Sequence, residues 1–363
     1  MSVSVDISWK SLNKHGEELC GDKVEVLKTD DSDIVILADG MGSGVKANIL
    51  ATLTSKILGT MFLEGADIVS CVETVARTLP VCKEREVAYA TFSILQIFHN
   101  GDAYLVEYDN PECVFVRNRK LVRYPYEERM IEGKKIREYR FRVELNDCFV
   151  LMSDGVIYAG VGELLNFGWQ WEDMAAYTLK CTKETLSASR LTAMLSQACY
   201  ELYGEKPGDD TTIAVARVIP RRVVNIFTGP PLQKADDERV IQDLMKQEGK
   251  KVVCGGTSAN IAARVLKKDI VTSIDYADPS VPPMATIEGL DLVTEGVLTL
   301  GKALGLLKRY ERDEFDEAFF DELDAGNGAS KLARLLIEEC TDLVEQLKEC
   351  AQNLGKKVNV RYY

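Results

Sequence analysis

The stretch Ile34-Val35-Ile36-Leu37-Ala38-Asp39-Gly40-Met41-Gly42-Ser43-Gly44 constrains this chain more than any other. Its apolar run is the length of a buried strand and far short of a spanning helix. It ends in a carboxylate, passes a glycine-punctuated turn, and gives way to a helical pattern at Lys46. A buried strand thus delivers Asp39 to a fixed point, and the glycines allow a tight turn or a close backbone approach. Two other segments repeat the idea. The run Cys148–Ser153 reaches Asp154-Gly155, and Gly208-Asp209-Asp210-Thr211-Thr212 opens a strand instead of closing one. With Gly21-Asp22 as a fourth case, separated segments each place a carboxylate at a strand end beside a flexible turn. Oxygen-ligand metal sites are assembled in this way from distant sequence.

Composition narrows the chemistry. Only two histidines occur, His15 and His99, and the ten cysteines are scattered without a CxxC pair. Hard carboxylate ligands without histidine or thiolate favour Mg²⁺ or Mn²⁺ over zinc or copper. With 57 acidic against 44 basic residues the formal net charge is −13, which argues against nucleic acid or an anionic membrane as partner. No apolar run approaches the ~20 residues of a membrane helix, and Met1–Asp6 lacks the basic and apolar regions of a secretory signal. The expected location is the cytoplasm, where scattered thiols stay reduced.

At 363 residues the chain is long enough for two cores. Alternation of Val3, Val5, Ile7 and Trp9 marks a first strand. A second covers Lys23–Leu27, and Thr29–Asp33 reads as a turn before the strand that ends at Asp39. Ile49, Leu50, Leu53, Ile57, Leu58 and Met61 have helical spacing with one apolar stripe. A second helix, Asp67–Leu79, stops at Pro80. Strands follow over Val87–Phe98, Ala103–Tyr108, Cys113–Val116, Lys120–Arg123, Ile136–Val143 and Asp147–Met152. Helical patterns return over Glu172–Lys180 and Ser187–Tyr203, and Asp210–Val218 is a last strand. This order describes an antiparallel α+β layered domain over 1–220.

At this point the residues carry a resemblance. Asp39-Gly40-Met41-Gly42-Ser43-Gly44, Ser153-Asp154-Gly155 and Asp209-Asp210-Thr211-Thr212 resemble the three signature segments of PPM/PP2C-type metal-dependent protein serine/threonine phosphatases, in particular the sporulation-stage-II-E-like bacterial branch. The resemblance implies a PPM-type antiparallel β-sandwich flanked by helices. It also implies hydrolysis of phosphoserine or phosphothreonine on a phosphoprotein partner by a water bridging two Mn²⁺ or Mg²⁺ ions. Carried over by position, Asp39 would bridge both ions and the Gly40 carbonyl would bind the second. Asp154 and Asp209 would complete the first ion's shell, and Asp22 stands at the N-terminal acidic ligand. Asp39 and Asp154 act on the substrate through the bridging water. Asp210 reads as a supporting or turn residue. Met41 stands where eukaryotic relatives carry a histidine, so the leaving alkoxide needs its proton from water or from His15. The helices Lys46–Phe62 and Asp67–Leu79 are candidates for a regulatory switch acting on Gly40.

Beyond Ile219-Pro220-Arg221-Arg222 the pattern changes to alternating strand and helix, a smaller α/β domain over 221–363 that resembles no family. Strands are expected at Val223–Thr228 and Lys251–Cys254, and helices at Asp236–Gln247 and Ser258–Lys267. A linker at Asp275–Pro283 precedes long helices at Thr294–Arg309 and Ala329–Leu354, candidates for homodimerisation. In Cys254-Gly255-Gly256-Thr257-Ser258 a strand ends in two glycines and a helix opens with hydroxyls. Gly255, Gly256, Thr257 and Ser258 are therefore candidates for holding an anion or small ligand on backbone N–H groups. The rival reading of the whole chain is a catalytically silent PPM-fold sensor or scaffold whose second domain binds a ligand or partner.

Overall fold

The computed structural model describes residues 3–79, 90–162, 164–231, 233–272, 281–344 and 357–358. The chain divides into two compact units, Met1–Pro220 and Arg221–Tyr363.

The first unit runs β1 (Val3–Leu12), β2 (Asp22–Lys28), β3 (Ser32–Gly40), α1 (Gly44–Leu63), α2 (Ile68–Thr78), β4 (Ala90–Phe98), β5 (Asp102–Tyr108), β6 (Val114–Arg117), β7 (Lys120–Leu121), β8 (Glu127–Ile131), β9 (Lys134–Arg142), β10 (Cys148–Met152), α3 (Asp154–Ile157), α4 (Trp171–Glu184), α5 (Ala188–Leu202) and β11 (Thr211–Pro220). One sheet has the order β1-β11-β10-β6-β7, the other β2-β3-β4-β5-β9-β8, and neighbours pair antiparallel throughout. The sheets face each other across a core that includes Val5, Val35, Leu37, Leu95, Phe149, Leu151 and Ala216. Ile34, Ile36 and Ala38 point the other way, into a layer with α1 and α2. Strand β10 behaves alike, sending Cys148, Val150 and Met152 toward α4 and α5. Both strands are buried on two faces, which is why they read as unbroken apolar runs rather than alternations.

Two expectations fail here. Ser32 and Asp33 are not turn residues: both are buried and belong to β3. Helix α1 also turns to the sheet a face that only partly overlaps the expected stripe: Leu58 is buried and Leu50, Ile57 and Met61 pack against the same layer. Its buried positions are Gly44, Ala47, Ala51, Thr54, Ser55, Leu58, Gly59 and Phe62, whereas Ile49 is 50% and Leu53 43% exposed. Small residues let the helix backbone lie close against β2 and β3, and that proximity outweighs burial of the larger side chains. Helix α2 behaves as its pattern implies, with Asp67 accepting from the Ser70 N–H at 2.9 Å as N-cap. Pro80 and residues 87–89 lie outside the described residues.

The second unit runs β12 (Val223–Thr228), α6 (Asp237–Lys246), β13 (Lys250–Cys254), α7 (Gly256–Leu266), β14 (Val271–Thr272), β15 (Ala285–Thr286), β16 (Leu292–Thr294), α8 (Val297–Glu311), α9 (Glu317–Leu323), α10 (Gly328–Glu338), β17 (Asp342–Val344) and β18 (Lys357–Val358). Its sheet order is β14-β15-β16-β13-β12-β17-β18. The stretch from β16 to β18 is parallel, and β14 and β15 add an antiparallel edge. In chain order the parallel strands stand third, second, first, fourth, fifth, a doubly wound arrangement. The helix expected from Thr294 instead starts at Val297, because Thr294 closes β16 against Cys254 of β13. The helix expected from Ala329 ends at Glu338. Thr341 then locks onto Arg222, accepting from its N–H at 2.9 Å and donating its own N–H to its carbonyl, and Leu343 enters the sheet beside Val224. Residues 345–354 of that expectation, and Asp275–Ser280 of the linker, lie outside the described residues.

Candidate functional site

The β2–β3 ladder sets the site. Its register puts Asp22 directly opposite Asp39, so two carboxylates face each other at one end of the pair. Gly40 follows at a point where no side chain fits: a Cβ there would stand 2.1 Å from the Ala47 carbonyl oxygen of α1. Asp154 opens α3 directly after β10. Gly155 beside it is equally constrained, since its Cβ would stand 2.1 Å from the Asp210 carbonyl oxygen, and the Tyr203 hydroxyl donates to the Gly155 carbonyl at 2.6 Å. Close backbone contact thus ties the 154 segment to the 209–212 segment.

The electrostatics show which carboxylates share one space. Burial, then the charges of Asp22 and Asp154, push Asp39 up to about 9. Burial raises Asp22 to about 7, with Asp210 and Asp154 adding to the rise against the nearby Ser153 and Thr212 hydroxyls. Asp154 is raised by burial and by Asp209. The Asp154 backbone N–H works against the rise at Asp39. The four expected carboxylates Asp22, Asp39, Asp154 and Asp209 therefore act on one another, as like charges withdrawn from water must.

Several of their oxygens are left without partners. Both Asp22 carboxylate oxygens are buried with no hydrogen bond, and so is Asp210 Oδ2. Asp210 Oδ2 lies 2.7 Å from where a Gly21 Cβ would stand, while its Oδ1 accepts from the Lys14 N–H at 3.0 Å. A buried, unpaired carboxylate oxygen is costly unless a cation joins it. All the donors are hard oxygens, so the set suits Mg²⁺ or Mn²⁺. Among the described residues, however, no three His, Cys, Asp or Glu side chains are arranged to hold an ion as they stand. An ion would have to draw the carboxylates together.

Two residues at the site escaped the sequence reading. Asp210, read as a supporting residue, is the buried member of its pair, while the Asp209 side chain is 39% exposed. Lys14 brings its ammonium to 3.7 Å from Asp209. The adjacent acids Asp209-Asp210 were the only signal for the first, and nothing near Lys14 distinguishes it in sequence. His15 is exposed on the same loop, its N–H donating to the Pro207 carbonyl at 2.8 Å. Burial and the Asp22 charge push the Cys20 thiol well up, which removes a thiolate nucleophile from consideration. Gly255, Gly256, Thr257 and Ser258 lie together in the second unit, outside this cluster.

Residues 29–219 match the family model described as stage II sporulation protein E. The chain belongs to that family. Among solved structures, a fragment of the stage II sporulation protein E of Bacillus subtilis, holding its PP2C phosphatase domain and part of its regulatory domain, aligns with a TM-score of 0.51 at 17% identity, covering 60% of this chain and 64% of that one. The RsbU and RsbW domains of a Mycobacterium tuberculosis protein align with a TM-score of 0.50 at 16% identity, over 67% of this chain and 69% of that one. These likenesses establish the PPM-type fold. This member of the family spans less than two thirds of the length of the Bacillus fragment. No curated protein matches the chain significantly.

Proposed function

We propose that this member of the family is a divalent-ion-dependent phosphatase acting on phosphoserine or phosphothreonine of a protein partner in bacterial signalling. The observation that carries the reading is the convergence of Asp22, Asp39, Asp154 and Asp209 from four separate segments, with the Asp22 oxygens buried and unpaired.

Asp22, Asp39, Asp154, Asp209 and the Gly40 carbonyl would hold two Mn²⁺ or Mg²⁺ ions. When bound, such ions supply positive charge to the phosphate oxygens and a nucleophilic water at neutral pH. The chain's own residues do the rest. The ladder that sets Asp22 opposite Asp39 fixes the backbone positions of these two ligands, and the side chains would close in when the ions bind. Lys14 offers an ammonium at the rim, where it meets a substrate phosphate beside Asp209. Met41 carries no proton, so the leaving alkoxide takes its proton from solvent or from a group on the exposed 13–16 loop. The partner phosphoprotein, the cytoplasmic location and any dimer belong to this proposal. No described helix is long and apolar enough to cross a membrane.

Hydrolysis of p-nitrophenyl phosphate in Mn²⁺ tests the reading, followed by a phosphopeptide panel against sugar phosphates. Activity lost in Asp39→Ala and Asp154→Ala is the expected outcome. No turnover with any divalent ion tested would leave the fold as a silent sensor or scaffold.

A further inference from the structure

We propose that the second unit binds a phosphate ester carrying a hydroxylated ring, as in a sugar phosphate or a mononucleotide, where the N-termini of α7 and α8 meet.

Three adjacent parallel strands end at one edge of the sheet and each is followed by a glycine: Thr228-Gly229 after β12, Cys254-Gly255-Gly256 after β13, and Thr294-Glu295-Gly296 after β16. The last two turns nearly touch. The Gly255 N–H donates to the Thr294 carbonyl at 2.9 Å, and a Cβ on Gly296 would stand 3.5 Å from the Gly255 Cα. Gly255 has φ +110°, which a side chain would resist. Helices α7, of 11 residues, and α8, of 15, therefore start side by side. Neither has a side-chain cap: glycine stands at both cap positions. Two positive helix ends whose first-turn N–H groups no side chain caps among the described residues, each equivalent to about half a unit charge, then start beside one another.

The helix ends are not the only sign of a ligand. Ser258 and Thr299 are the third residues of their helices, are 1% and 0% exposed, and leave both hydroxyl oxygens unpartnered. Ser258 Oγ lies 3.7 Å from where a Gly255 Cβ would stand, so it faces the turn between the helices. A buried hydroxyl without a partner is uncommon, and the one on Ser258, facing the turn where the two helices start, points to a group that joins it. Paired N–H fans and hydroxyls suit a phosphate. Glu295 sets the class further. Its carboxylate oxygens lie 3.7 Å from the Gly256 Cβ position. That carboxylate repels any phosphate but can accept hydrogen bonds from ring hydroxyls, which inorganic phosphate lacks. Beside it Val297 and Leu298 stand 87% and 68% exposed, an apolar step on which a base can lie.

Calorimetric titration of the full chain in EDTA, which leaves the first unit's carboxylates repelling phosphate, tests the proposal with inorganic phosphate, ribose 5-phosphate and AMP as probes. Both esters should bind more tightly than inorganic phosphate. AMP tighter than ribose 5-phosphate seats the base on Val297 and Leu298, and equal affinities make the ligand a sugar phosphate; both outcomes uphold the site. Gly256→Ala places a methyl at the mouth of α7 with only ordinary contacts. It should weaken both esters by tenfold or more while leaving the ligand-free melting temperature unchanged or higher, as alanine for glycine does in a helix. Ser258→Ala should cost about fivefold. Glu295→Ala should bring inorganic phosphate and ribose 5-phosphate toward equal affinity. Absence of binding by all three probes, or ester affinity untouched by Gly256→Ala, overturns the proposal.

Discussion

Strand β3 carries an aspartate near each end, Asp33 buried and Asp39 half-buried, and the two are handled in opposite ways. Asp33 is 3% exposed and fully partnered. Lys28 Nζ stands at 3.1 Å, His99 Nε2 at 3.8 Å, and the Ser4 hydroxyl and Val5 N–H donate at 3.2 and 2.8 Å. Burial pushes its pKa up, but His99 and Lys28 outweigh burial and hold it below the usual carboxylate range. Asp39, six positions on and with the same side-chain parity, meets other carboxylates and is pushed up to about 9. One end of the strand is a closed ion-pair network that fastens β1, β2 and the β4–β5 hairpin. The other is an open account of negative charge. A carboxylate that the fold itself satisfies is structural; one that the fold buries and leaves short of positive charge is waiting for a cation.

The sharpest way to break this contrast is to truncate both residues. Asp39→Ala should lower Mn²⁺-dependent hydrolysis by on the order of a thousandfold, since ion-borne charge stabilisation is worth several kcal/mol. The same change should leave the melting temperature in EDTA unchanged or raised, because it relieves repulsion. Asp33→Ala should do the reverse. It strands Lys28, whose side chain is only 11% exposed, and should destabilise the first unit by about 3 kcal/mol, with kcat per folded molecule retained. Denaturant titration and initial rates on both variants read the two effects separately. Equal stability losses at the two positions would erase the distinction.

A second effect, smaller, is the pH dependence of stability. The folded pKa of Asp39 lies above its unfolded value, so the ion-free fold holds more protons and loses stability as pH rises from about 4 toward about 9. Asp33 has the opposite sign: its contribution is complete above about 4 and is lost as pH falls through its lowered folded value. His99 is raised by its hydrogen bond to Asp33, so its contribution is complete below about 6.5 and lost as pH rises through the folded value. Melting curves in EDTA should therefore fall on the alkaline side, and the gain on adding Mn²⁺ should grow with pH across that window. A gain from Mn²⁺ that stays constant with pH would mean that the ion does not meet the raised carboxylates.

How much of this contrast could be read from sequence depends on the range of the forces that made it. Asp39 and Asp154 were legible because each ends an apolar run, and doubly buried strands need such runs. Asp33 was not. Its partner His99 is far away in the chain, and Thr29–Asp33 has the composition of a turn, yet burial and pairing carry Ser32 and Asp33 into the strand. The stripe on α1 misled for a related reason. Large apolar residues suggested the buried face, but Gly40 admits only a small-residue face, with the Ala47 carbonyl against it. In the second unit β17 was hidden because Asp342–Val344 continues a helical pattern, and pairing with β12 and β18 makes it a strand.

That small-residue face supplies the mildest test. The Asn48 side chain of α1, next to the Ala47 that contacts Gly40, donates to the carbonyl of Cys20, two residues before Asp22, at 2.8 Å. Helix α1 therefore holds both strands that carry the opposed carboxylates, and the Asn48 bond lies at the Asp39 end. Removing one such hydrogen bond costs about 1 kcal/mol. If the Asp39 end is set through α1, Asn48→Ala should raise the Mn²⁺ concentration for half-maximal rate by about threefold. The acid limb of the melting curve, which reports Asp33, should not move. A variant that lost stability alone, with its Mn²⁺ dependence unchanged, would show that α1 only covers the sheet. A shift in Mn²⁺ dependence with the acid limb intact would mean that the two ends of β3 answer to different parts of the fold.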